Sequence, residues 1–177
     1  TITISGGVIS SSGGGGGAVT KIAQTVLATA ASSVTFSSIP ATFSNLRITI
    51  TGRSAASVAQ DNVQLQFNGD TAAHYDTQFF AAFNASDSKG QSLAQTSAVF
   101  GNMPGTSTSA NFPVCGVMQI IGYAATVFNK VAIYSQGLMG ATSTASVQLN
   151  FTQWRSTAAI ASIVFSLTSG SNFVAGK

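Results

Sequence analysis

The chain has 177 residues, enough for one domain with a full core, and 45% of them are hydrophobic. Charged residues make up only 6%, against roughly 25% in an average soluble domain, and glutamate is absent. The net charge of +3 comes from scattered cations with no run or stripe, which excludes a clustered nucleic-acid surface; so little charge favours association with other subunits.

Residues 1–20, "TITISGGVISSSGGGGGAVT", are a short β-prone start followed by Ser- and Gly-rich sequence with five glycines in a row. Such a tract holds no packed core of its own, so it predicts a flexible N-terminal arm and hinge that orders against a partner. Ile2, Ile4, Val8 and Ile9 are the apolar residues with which the arm would add a strand to a partner's sheet. No Gly-Lys-Ser/Thr follows the glycines, so they are not a phosphate loop. The start has neither the basic nor the apolar region of a signal peptide.

From Lys21 to the end the pattern has period two, which predicts a β-domain over 21–177. "KIAQTVL" and "SVTFSSI" read as short strands. "LRITIT" sets Leu46, Ile48 and Ile50 against Arg47, Thr49 and Thr51, and "VQLQF" sets Val63, Leu65 and Phe67 against two glutamines. "HYDTQFFAAF", "PVCGVMQIIGY", "KVAIYSQ", "SVQLNFTQW", "AIASIVFSL" and "SNFVAG" complete eight to ten strands, while Ala85 to Asn111 reads as a long polar excursion. The predicted fold is an all-β antiparallel β-sandwich, jelly-roll-like. No apolar run reaches the length of a membrane helix.

Asn68-Gly69 follows a clean strand and is the strongest short hairpin signal, because both residues accept positive φ; Asp70 then bonds the turn. A rival site at this tip would join Asp70 and Asp76 to His74, the one histidine of the chain. A transition-metal site wants three or four strong ligands, and glycoside hydrolysis two facing carboxylates, so a structural turn is the reading, with no catalytic residue, metal or cofactor. Cys115 lies in an apolar run and reads as a buried thiol. Trp154 reads as a core-edge residue that continues its strand's alternation only with a slip, the sign of a bulge.

Three stretches together resemble a recurrent β-domain of tailed-bacteriophage virion proteins. They are "SVTFSSIPATFSNLRITITGRS" (33–54), "LQFNGDTAAHYDTQ" (65–78) and "WRSTAAIASIVFSLTSGSNFVAGK" (154–177). The shared elements are a strand ending in Ile-Pro before one bearing Arg, then an aromatic-Asn-Gly-Asp turn with a following Tyr. A Trp-x-Ser stretch leading to a last apolar strand completes the set. The resemblance implies a jelly roll that trimerises and serves as a head decoration (cement) protein binding the major capsid protein on the outer surface of the phage head. The alternative it implies is the tip of a head or tail fibre, holding a host surface glycan through Tyr75, Trp154 and the 85–111 excursion. Neither implies nucleic-acid binding or membrane insertion.

Overall fold

The computed structural model describes residues 2–7, 19–140 and 145–176. Among them are twelve strands: β1 (Ile2–Gly7), β2 (Thr20–Thr25), β3 (Ser33–Phe36), β4 (Asn45–Gly52), β5 (Gln60–Phe67), β6 (Tyr75–Phe83), β7 (Ser86–Gln95), β8 (Ala98–Pro104), β9 (Val114–Ile121), β10 (Lys130–Met139), β11 (Ala145–Trp154) and β12 (Ile163–Leu167). They form two antiparallel sheets, one of eight strands in the order β2-β1-β4-β9-β10-β11-β6-β7 and one of four in the order β3-β12-β5-β8.

Setting β1, β2, β9 and β10 aside leaves two four-stranded sheets, β3-β12-β5-β8 and β4-β11-β6-β7. Every step from β3 to β12 then crosses between sheets, apart from the β6–β7 hairpin. That is jelly-roll connectivity. The β9–β10 hairpin is inserted between β4 and β11, and β1–β2 extends the sheet beyond β4.

The core between the sheets follows from the alternation. Leu46, Ile48 and Ile50 of β4, Val63, Leu65 and Phe67 of β5, and Ile163, Phe165 and Leu167 of β12 are all buried. Phe165 takes Phe36 and Phe100 edge-on, with centroids 6.3 and 5.6 Å away, the arrangement aromatic quadrupoles prefer. At one end of the sandwich Arg53 is buried and spreads its guanidinium over backbone carbonyls of Gly105, Thr108, Ser109 and Phe112 at 2.7–2.8 Å. The 105–112 loop, whose Gly105, Thr106 and Ser107 N–H groups also bond the 56–59 backbone, is gathered there around one planar fork.

Four expectations change. The segment read as a free arm begins with a strand: Ile2–Gly7 pairs with both β2 and β4, and Ile2 is only 5% exposed. Alternating Thr and Ile suits it to fill a ladder position; Ile4 pairs there through its backbone, and Val8 and Ile9 lie outside the described residues. The 85–111 excursion holds two strands, polar edge strand β7 and core strand β8, with Ala98, Phe100 and Met103 buried. Its alternation is hidden by a bulge where Gly101, at φ 139°, passes so close to the Tyr134 ring that a Cβ would overlap it. Cys115 is exposed, because Val114, Gly116 and Met118 take the inward phase of β9.

The fourth concerns the Asn-Gly turn. Asn68 (φ 53°) and Gly69 (φ 68°) are both left-handed and Asp70 N–H donates to Phe67 O at 2.9 Å, the geometry of a tight primed turn. Yet β5 pairs with β12 and β8, and β6 with β11 and β7, so the turn begins a crossing between sheets rather than a hairpin. Tyr75 explains why the strands part. Its hydroxyl accepts the Phe67 N–H at 2.9 Å and donates to Asp70 O at 3.1 Å, occupying groups a hairpin ladder would use.

Candidate interaction surface

β11 sets the problem. Its residues alternate apolar and polar, and the apolar set faces outward: Val147 is 67% exposed, Leu149 53% and Phe151 46%. Ser146, Gln148, Asn150 and Thr152 are buried against the other sheet, and Trp154 is in phase with them. The strand needs no bulge, since its register with β6 and β10 runs unbroken to Trp154.

Register then assembles a face from neighbouring strands. Leu149 lies opposite Phe80 on β6, Phe151 opposite Ile133 on β10, and Val147 between Ala82 and Gly137. Val117 and Cys115 of β9 continue the rows, opposite Ser135 and Gly137. Gly137 has no neighbour within 4 Å of where its Cβ would be, so it floors a hollow of about 390 Å³ walled by Phe80, Val117, Val147 and Leu149. A second hollow, about 360 Å³, lies among Phe80, Ile133, Leu149 and Phe151, with Lys89 at its rim. Met139 and, at the β9–β10 turn, Val127 and Phe128 extend the exposed apolar set. Lys130 is buried beneath that turn, donating to Phe128 O and Thr157 O at 3.0 Å, and burial pulls its pKa down.

A contiguous apolar sheet face of this kind is unusual on a free domain and is the candidate contact surface of this chain. Covering it is worth on the order of 25 cal/mol per Å² of apolar area. The inner side bears a matching oddity. Thr77 and Thr152 share a hydroxyl contact at 3.1 Å, and Gln136 Oε1 accepts from Tyr134 and from Asn102 N–H at 2.7 and 2.8 Å. Asn150 Oδ1, Gln136 Nε2 and Ser146 Oγ make no hydrogen bond to another protein group. If outward positions were free to be polar, these inward ones would more favourably be apolar.

The turn cluster reads differently. Asp70 Oδ2 accepts from Trp154 Nε1–H at 2.7 Å and contacts His74 Nδ1 at 2.9 Å, while Oδ1 takes the Ala72 N–H at 2.9 Å. The indole N–H above all, then His74 and Ala72, hold the Asp70 carboxyl below its ordinary range against a desolvation that would raise it. Asp76 turns away to Ala94 N–H at 2.7 Å and to Arg155 Nε at 3.5 Å. Among the described residues no three acidic, His or Cys side chains converge. Asp70 thus latches the Asn68-Gly69 turn to the end of β11, while Asn68 ties it to the segment that follows, donating to Ala159 O at 2.8 Å and accepting from the Ala161 and Ser162 N–H groups at 2.8 and 3.0 Å. Tyr75 and Trp154, offered by sequence as sugar platforms, are buried at 0% and 3% and stack on each other with centroids 6.4 Å apart. Neither ring is presented to a ligand.

The outer face went unseen in sequence because alternation fixes two faces but not which is inward. One signal was there: the in-phase Trp154 and polar residues already paired the tryptophan with the inner side. No family model, curated protein or solved structure matches this chain. The class defined by the fold is an all-β antiparallel sandwich of jelly-roll connectivity.

Proposed function

We propose that this chain is a non-enzymatic structural subunit of a tailed-phage virion, a capsid decoration or cement protein that binds the outside of the head shell as a homotrimer. The observation that carries the assembly part is the outward apolar face of β6, β10 and β11, centred on Phe80, Leu149 and Phe151. With 6% charge in the chain and a lysine only at the rim, the face has its natural complement in another neutral, apolar surface such as its own copy. The virion assignment rests on the sequence resemblance, with which the jelly-roll connectivity agrees. The fibre-tip alternative loses its two named sugar platforms to the core.

The copy number per particle tests it, from the mass-spectrometric ratio of this chain to the major shell protein. Decoration requires hundreds of copies, comparable to shell subunits. A few dozen or fewer would place the chain on a fibre, and absence from particles would overturn the reading.

A further inference from the structure

β1 and β2 are antiparallel neighbours, with Ile2 opposite Thr25 and Gly6 opposite Thr20. Two to five residues suffice to close such a pair. Here twelve residues, 8–19, connect them, with five consecutive glycines. Closing a longer loop costs more entropy, so a connection of this length is more than the closed hairpin requires. Fully extended it spans roughly 40 Å, the scale of a neighbouring domain.

The placement of the anchor agrees. Ile2, at the end of β1 remote from the connection, is buried in a hollow walled by Val34, Ile50, Met103 and Phe173. Among the described residues β2 pairs with β1 alone, so β1 fills a slot that β2 and β4 bracket by backbone bonds. Those bonds and that hollow are the same whichever copy supplies the strand.

We propose that β1 is exchanged between copies: residues 2–7 of one chain fill the slot between β2 and β4 of its neighbour. This rests on the self-assembly proposed above. Closed and exchanged forms make identical contacts, so proximity decides between them. Copies held together through the outer face present each other's slots at millimolar effective concentration, and exchange then locks the assembly without any new surface.

Thr3 of β1 lies opposite Thr49 of β4, within disulfide reach for paired strands. The full chain carrying Thr3→Cys, Thr49→Cys and Cys115→Ser is oxidised and run on a non-reducing denaturing gel, with its native mass taken by light scattering. Exchange yields covalent multimers as the main oxidised product. Disulfides confined to single chains overturn it, and a multimeric native mass in that sample leaves the assembly reading standing. A monomeric mass overturns both. No disulfide at all would contradict the β1–β4 pairing and the proposal with it. As a second arm, chains bearing only Thr3→Cys are refolded together with chains bearing only Thr49→Cys, both with Cys115→Ser; a mixed covalent dimer is expected, and its absence overturns exchange.

Discussion

Val147 and Gln148 are consecutive residues of one strand, and the valine faces out at 67% exposure while the glutamine is buried at 7%. In a domain that lived alone the two would be better exchanged. Their order fits the proposal that a neighbouring copy covers the outer face.

The first prediction follows from that face. Leu149→Lys with Phe151→Lys places two like charges on it without touching the inner packing. Association should weaken at least tenfold per residue by sedimentation, since burying one such side chain is worth about 1.5–3 kcal/mol. Urea stability of the dissociated chain should change by only about 0.5 kcal/mol. Unchanged association would remove the face from the account.

Trp154 belongs to the core, 5.5 Å from the Phe67 ring and stacked on Tyr75. Trp154→Ala should therefore cost about 3–5 kcal/mol in urea unfolding. A stable, folded variant that lost only sugar binding would restore the platform reading.

Asp70 links pH to that same tryptophan. Its folded pKa is depressed, so the contact contributes stability at pH above the ordinary value of 3.8, and loses it as pH falls through the lowered folded value. Trp154 is the one tryptophan of the chain and its indole N–H donates to this carboxylate, so its emission should shift below pH 3.8 before unfolding. Asp70→Asn should abolish that step.

Tyr75 works at the opposite end of the scale. Burial pushes its hydroxyl up to about 12, so stability is intact below pH 10 and declines as pH rises from there through 12. Tyr134 is raised as well, by burial above all. Absorbance titration should show a tyrosinate step near pH 12 that moves toward 10 in urea. Tyr75→Phe should lose that step, and with it the link between Phe67 and Asp70.

Arg53 predicts a local effect. Arg53→Lys keeps the charge but cannot reach four carbonyls with one planar fork. It should cost about 2–4 kcal/mol and open residues 105–112 to proteolysis. Protease resistance equal to the parent chain would show the loop to be held otherwise.

The strands built on clean alternation were legible in sequence: the apolar faces read for β4 and β5 are the ones turned inward, and the last apolar strand, β12, lies where it was read. β7 and β8 were not. β7 is a polar edge strand whose signal lies in backbone pairing with β6, and β8 breaks its phase at Gly101. The Asn68-Gly69 turn was readable as local φ chemistry, but its destination was not. That depends on Tyr75 and Trp154 closing over it from the other sheet. The interaction surface was least legible, because a period of two cannot say which side meets water.

The most direct measurement of the central claim is the mass of the intact chain in solution at micromolar concentration, by analytical ultracentrifugation. A homotrimer, the state the resemblance implies, would give a species three times the 17.9 kDa of one chain. A single-chain mass, with Phe80, Leu149 and Phe151 left facing water, would contradict it.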